Sequence, residues 1–388
     1  MRIIEEEQLD FDDVSIMPKR SSLNSRSEVD LWRTFKWTSA NGNNHELKCI
    51  PIMAANMGTV GTPKMAKFLS QKGYLTALEK HYDFETVDGL FEELEQKAME
   101  DGYYKTKYTE KVALSIGLRE NLDMLLSVKE KHEVNIINLD APNGYCPNII
   151  TRLVELRENF PEAFIIVGTV VTGDIVTDLI MKGANCVRLG ICNGSVCLTA
   201  KKTGVRRPIV SMLMECVDAA HNVKGYTMLD GGIRTPSDWC KATIAGADMC
   251  MSGSIFAGTD MAEGDVITKY YKSGEYERID NGPLVTYRPV YKEKMFKSYY
   301  GMSSNYAQNK FFGGTKEYRT SEGREKLIPY TGSLESVLED YEGGMRSMMT
   351  YIGAKKFKDI QRHGTLYKVR HQINEKFAKC EDMSVTHG

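Results

Sequence analysis

Short apolar runs rich in β-branched residues alternate along this chain with longer stretches whose apolar positions recur every three or four residues, the period of a helix with one buried face. The runs are CIPIMAA (49–55), YLTAL (74–78), VALSIG (112–117), VNIINLD (134–140), FIIVGT (164–169), CVRLG (186–190), YTMLD (226–230) and DMCMSG (248–253). Between them lie PKMAKFLSQKG, LRENLDMLLSVKEKH, NIITRLVELRENF, TGDIVTDLIMKG and PIVSMLMECVDAAHNV, several closed by a glycine suited to ending a helix. This alternation predicts a parallel sheet. Eight strands within about 200 residues predict a closed (β/α)8 TIM barrel, in which the loops at the C-terminal strand ends carry the chemistry.

The pattern breaks after the eighth run. From Thr259 to Tyr300 the text turns irregular and rich in Tyr, Lys and Glu, and 259–332 reads as a long insertion before a closing helix that begins near Ser333. Residues 1–46 and 354–388 read as arms on a barrel core spanning 47–353, the whole forming one domain, with solvated termini as the alternative for both.

Among 388 residues, 50 basic side chains face 52 acidic ones, leaving no basic surplus to grip nucleic acid. Nine cysteines, an odd number in irregular scatter, argue against a disulfide framework and for a reducing compartment. No run approaches the roughly 18 apolar residues of a membrane span. The expectation is a soluble, cytoplasmic protein.

The segment RLGICNGSVCLTAKKTG follows the sixth run and packs Gly190, Gly194, Ser195, Cys197 and Thr199 into one loop. Cys186, Cys192 and Cys197 stand six and five positions apart, with no CxxC pair or neighbouring His, which suits zinc poorly. A thiol in a strand is ordinarily a small apolar residue, whereas one in a loop at a barrel mouth is placed to act as a nucleophile. LDGGIR (229–234) and SGSIFAG (252–258) put glycines at the last two strand ends, where this barrel commonly binds phosphate through backbone amides. A phosphorylated ligand follows, with Asp230 placed either for ribose hydroxyls or to cap the next turn.

Taken together, LDFDDVSIMPKRSSLNSRSEVDL, PIMAANMGTVGT, GSVCLT, KKTGV, AAH, DGGIRTPSD, YYGMSS, EYRTSEG and GGMRSMMTYIGA resemble, in order, the IMP dehydrogenase and GMP reductase family from about Leu9 to Tyr351. EYRTSEG, TYIGA after GGMRS, and the lack of an inserted pair of domains near 80–120 resemble the reductase branch. DGGIR and the AGT at 257–259 look more like the dehydrogenase. Only 20 positions separate Met302 from Glu322, too few for the mobile flap with which dehydrogenases activate water.

The resemblance implies NADPH-dependent reductive deamination of GMP to IMP and ammonia, with Cys197 adding to C2 of the purine and Thr199 and Glu322 handling protons. It further implies that Ser195, Gly231, Gly232, Gly253 and Ser254 hold the phosphate and Asp230 the ribose. Gly301, Met302, Ser303, Arg319, Ser321 and Gly323 would surround the base. Lys80, Asp140, Asn143 and Gly190 would meet the cofactor, and Ser25 with Arg26 would reach a neighbouring subunit's cofactor in a homotetramer. Gly190 and Cys197 would also border a monovalent-cation (K+) site. The loop departs from the family in carrying Cys192 and Asn193 for Gly and Pro, Leu198 for a polar residue and Ala200 for Arg. Elsewhere Gly58 replaces an acidic residue, Thr169 an Asn, and Leu229 a small polar residue, which raises dGMP or a modified purine as the substrate. Oxidation of IMP with NAD, and a non-catalytic purine-nucleotide-binding role, stay open as alternatives.

Overall fold

The computed structural model describes residues 3–39, 41–282, 284–312 and 320–369. Three strands precede the barrel: β1 (Val14–Ile16), β2 (Arg33–Thr38) and β3 (Asn44–Cys49). The barrel strands follow as β4 (Ile52–Ala54), β5 (Leu75–Ala77), β6 (Val112–Ile116), β7 (Ile136–Asp140), β8 (Phe164–Val170), β9 (Cys186–Leu189), β10 (Tyr226–Asp230) and β11 (Met249–Ser252). All eight pair in parallel, and β11 returns to β4 to close the ring. Helices α1 (Pro63–Gln71), α2 (Phe84–Glu100), α3 (Asp123–Lys131), α4 (Asn148–Asn159), α5 (Gly173–Met181), α6 (Thr199–Thr203), α7 (Ile209–Asn222), α8 (Pro236–Ile244) and α9 (Ser254–Ala257) occupy the connections. The chain is thus a (β/α)8 barrel, as the alternation predicts.

Both faces of each strand are covered, which is why the strands read as continuous apolar runs. Met53, Leu75, Ala113, Ile136, Ile166, Met228 and Met251 fill the interior, while Ile52, Leu114, Ile137, Val167, Val187 and Leu229 pack outward against helices. The run at 49–55 divides in the structure. Pro51, with no amide to give a ladder, separates β3 from β4, and Cys49 belongs to an antiparallel hairpin.

That hairpin, most of it within the 1–46 arm, packs on the barrel and is not a solvated terminus. β2 and β3 lie across the N-terminal end of the barrel and push Phe35, Leu47 and Cys49 into its interior. Phe35 meets Tyr226 edge-on at 5.0 Å and Trp37 meets Phe164 at 5.1 Å, so aromatic rings stopper the end opposite the C-terminal strand ends. Residues 354–369 are also docked: β15 (Leu366–Lys368), the last strand among the described residues, pairs with β1, and Phe357 and Ile360 are buried.

The described residues after β11 form regular structure as well. β12 (Val266–Asn281) and β13 (Leu284–Tyr300) form a long antiparallel ribbon, and β14 (Glu325–Pro329) pairs only with the base of β13. The register places Tyr270, Tyr276, Tyr287 and Tyr291 on one exposed face. Neither face of the outer ribbon is buried, so its text lacks the apolar alternation that marks a strand, and composition alone made it look irregular. Helix α10 (Asn305–Phe312) follows β13; α11 (Leu334–Ile352), with Ser333 at its N-cap, closes the barrel, and α12 (Ile360–His363) lies near the end.

Asp248, wholly buried before β11, joins the stopper to the barrel. It pairs with Arg33 of β2, accepts from the Thr227 amide at 2.8 Å, and meets His221 Nε2 at 3.0 Å. The hydrogen bond to Asp248 raises the His221 pKa above its ordinary 6.5. Asp248→Asn leaves the Arg33 charge without its partner and should cost about 3 kcal/mol in urea unfolding. The stabilisation from protonated His221 is complete below about pH 6.5 and fades as pH rises through the raised folded value. The same variant should flatten that slope.

Candidate active site

A cavity of about 970 Å³ opens at the C-terminal ends of the strands. Its walls come from the loops after most barrel strands, from Tyr299 to Ser303 at the end of β13, and from Thr320 and Glu322. Cys197 stands at its centre in the loop between β9 and α6. Cys197 Sγ lies 3.2 Å from Thr199 Oγ1, which donates to Glu322 Oε2 at 2.7 Å. A hydroxyl owns one proton, so Thr199, having given it to the carboxylate, is left as acceptor for the thiol. The three side chains form a proton path from sulfur to carboxylate.

Backbone contacts fix this path. Leu198 N donates to Glu322 O at 2.6 Å, Arg324 N to Val196 O at 3.0 Å, and the Arg324 guanidinium holds Ser195 O at 2.7 Å. Residues 195–198 therefore lie antiparallel to 322–324, which run straight into β14 and are anchored by the base of the ribbon. A Cβ on Gly323 would come within 2.6 Å of Ser304 N, so only glycine lets this segment pass so close to the Ser303–Ser304 backbone after β13. Burial raises the Cys197 pKa above 9.0; the Thr199 hydroxyl and amide pull it back, and the Cys192 thiol adds to the rise.

On the floor of the cavity Arg188, 2% exposed, gathers the ends of several strands. Its guanidinium donates to Asp140 Oδ1 at 2.7 Å, Asn138 Oδ1 at 3.0 Å and Asn56 Oδ1 at 3.3 Å, with Asp230 Oδ2 3.5 Å away. Burial pushes both aspartates up. In Asp140, Arg188 and Lys80 outweigh burial and hold the carboxyl low; in Asp230, burial wins, with Asp140 adding to it and Arg188 opposing. Two carboxylates bordering one cavity are thus driven apart in acidity.

Cys197, Thr199, Glu322, Ser195, Asp230, Gly231, Gly232, Gly253, Ser254, Gly301, Met302, Ser303, Lys80, Asp140 and Gly190 all border the cavity. Among the described residues, the amides of Gly232 and Gly253 find no carbonyl partner, which suits an anion. Asn143 does not line the cavity: its Oδ1 accepts from Tyr145 N at 3.1 Å, and Pro142 takes the wall position instead. Ser321 and Gly323 stand behind the wall, where the Ser321 hydroxyl donates to Gly323 O at 2.8 Å. Ser25 and Arg26 are exposed and away from this cavity; Ser25 caps a 3-10 turn at Arg26–Glu28. Arg319 lies outside the described residues.

Of the three departures outside the nucleophile loop, only Thr169 borders the cavity. Leu229 is wholly buried among the outward-facing core, and a Cβ on Gly58 would meet Tyr300 Oη at 2.4 Å, so that tyrosine fills the place of an acidic side chain. Arg188, Glu79, His81 and Tyr299 were missed from sequence. The signal for Arg188 was a charge inside an apolar strand, which a barrel can bury only when paired. His81 stacks on Phe311 at 4.5 Å, joining α10 to the loop after β5.

A parallel barrel that holds a thiol, a hydroxyl and a carboxylate in series over a phosphate-ready rim is built for covalent attack on a small ligand. The chain belongs to the IMP dehydrogenase / GMP reductase family, whose domain model matches residues 8–279 and 285–376. Of the unmatched residues 280–284, Asp280, Asn281 and Leu284 lie at the last paired positions of the ribbon. Human GMP reductase 1 is 40% identical over 379 residues, covering 97% of this chain and 99% of that protein. GMP reductase of Caenorhabditis elegans is 38% identical, with 98% and 97% covered, and that of Onchocerca volvulus 37%, with 97% and 95% covered.

Because burial holds the free thiol up, iodoacetamide alkylation of Cys197 should still be accelerating at pH 9. A plateau near neutral pH would show an anion already formed. Thr199→Val, which cuts the path from the thiol to the Glu322 carboxylate, should slow alkylation by up to about tenfold.

Proposed function

We propose that this protein carries out the GMP reductase reaction, converting GMP and NADPH to IMP, ammonia and NADP. The observation that carries the reading is the continuous path from Cys197 through Thr199 to Glu322. The thiol is weakly acidic where it sits, so attack on C2 requires an acceptor for its proton, and Glu322 receives it through the Thr199 hydroxyl. As the C–S bond forms, the C2–N bond breaks. The same proton, returned along the path, makes the departing amino group ammonia, and a thioimidate on Cys197 remains. NADPH, when bound, supplies the hydride that reduces C2; the C–S bond then breaks, and a proton restores the thiol.

The site has room and partners for both ligands. Free amides at Gly232 and Gly253 suit the GMP phosphate, and Asp230 the ribose hydroxyls. Lys80, paired with Glu120 at 3.2 Å, and Asp140 line the side left for the nicotinamide cofactor. Arg119 borders that side exposed and, among the described residues, without an ion-pair partner, which favours the extra phosphate of NADPH over NADH. Potassium belongs to the same reading: Asn193 Oδ1 is buried without a partner beside Gly190, and it would join the carbonyls of Gly190 and Cys197 around a monovalent cation. Ser25 and Arg26, exposed and distant from the cavity of their own chain, would serve a neighbouring subunit in a homotetramer. Among the described residues no helix is long and apolar enough to cross a membrane, and we take the protein to act in the cytoplasm.

With Gly58 and Leu229 removed from the cavity wall, the case for an altered purine loses two of its three supports, and GMP is the favoured substrate. In a nucleotide panel with NADPH, GMP should yield ammonia and oxidised cofactor in equal amounts, and dGMP should turn over at least about tenfold more slowly through loss of a hydrogen bond to Asp230. Reduced cofactor accumulating with IMP and NAD would refute the assignment. Cys197→Ala should abolish turnover, and Glu322→Gln should lower kcat by about 100-fold with a smaller change in KM.

A further inference from the structure

Cys192 has no part in the chemistry above, yet it shares the nucleophile's loop. Its Sγ donates to the carbonyl oxygen of Cys197 at 3.6 Å, and its thiol is near enough to push the Cys197 pKa up. Both cysteines are half-buried and border the same cavity, so a small solute reaches both. Cys192 holds φ at +64°, a left-handed conformation that glycine adopts freely and a residue with a Cβ does not. Cysteine therefore stands here against the preference of the backbone. The pairing is also local: four residues separate the two thiols, so joining them disturbs only the tip of one loop.

We propose that Cys192 is a resolving thiol and that Cys192 and Cys197 form a site of reversible oxidation by hydroperoxides. The Cys197 thiol gives its proton to Glu322 through Thr199, and the sulfur attacks the outer oxygen of the peroxide. The O–O bond breaks, water or an alcohol leaves with a proton, and Cys197 becomes a sulfenic acid. The Cys192 sulfur then displaces that hydroxyl, releasing water and forming the Cys192–Cys197 disulfide; in sum, two thiols lose two electrons and two protons to the peroxide. The nucleophile is withdrawn but not destroyed, since a dithiol returns both sulfurs to the reduced state, whereas an unguarded sulfenic acid goes on to sulfinic and sulfonic acids.

The chemistry rests on a reactive Cys197, as the proposed function does, but is read independently of turnover. No Lys or Arg lies between Arg188 and Lys201, so trypsin releases one peptide, LGICNGSVCLTAK, holding both cysteines and no other. After brief treatment of the full-length protein with hydrogen peroxide, alkylation and digestion, that peptide should be lighter by two hydrogens and unalkylated. Dithiothreitol added before alkylation should restore two alkylation sites and, with GMP and NADPH, most of the starting activity. In Cys192→Gly, which suits the backbone, and Cys192→Ser, the peptide should instead gain two or three oxygens on Cys197. Each variant should recover about tenfold less of its own starting activity than the wild type. A wild-type peptide that gains oxygen without losing hydrogen, or variants that recover as fully as the wild type, would overturn the proposal. A disulfide in a protein that does not turn over GMP would leave it standing and sink the assignment of function instead.

Discussion

A guanidinium inside a closed barrel is tolerable only when its donors meet acceptors, and Arg188 meets them from across the barrel. Asn56 follows β4, Asn138 and Asp140 end β7, and Asp230 ends β10. Positions far apart in the chain are thus drawn toward one charge beneath the cavity. The same charge sets the local acidity. Asp140 is held low by it, and Asp230, 3.5 Å away, is left as the weaker acid at the cavity. The acidity of both carboxylates descends from how this one side chain is neutralised.

The reacting thiol depends on a second constraint, the contact between 195–198 and 322–324. Glu322 would have no fixed relation to Thr199 if β14 were not laddered to the base of β13. The outer ribbon is thereby separable from its base: pairs such as Tyr299 with Lys326 position the site, whereas the tyrosine-bearing strands beyond them touch none of it.

The barrel was legible because each strand is covered on both faces and each helix on one, so burial wrote its period into the residues. The ribbon was not, since exposure on both faces leaves no period to read. The stopper was not either: Phe35 and Leu47 alternate with polar residues as any short hairpin does, and only the barrel's open end gives them a place to go. For the site, glycines at strand ends and the order of motifs pointed to most of the cavity wall. Asn143 and Ser321 show the limit, because both have the right neighbours and yet spend their polar atoms on nearby backbone. Arg188 shows the converse, a residue passed over as packing because it sits in a strand.

The separation of Thr199 from Glu322 by 123 positions has a consequence for how the molecule comes into being. At ordinary rates of translation, about 6 to 25 seconds pass between the emergence of the nucleophile loop and that of its acid. Within this interval the barrel strands become complete, since β11 ends at Ser252, while the Cys197 loop still lacks the Thr199–Glu322 hydrogen bond and the backbone that steadies it. The nascent chain can complete its eight barrel strands before the Cys197–Thr199–Glu322 path can form, and Glu322 arrives only with the strand that follows the ribbon.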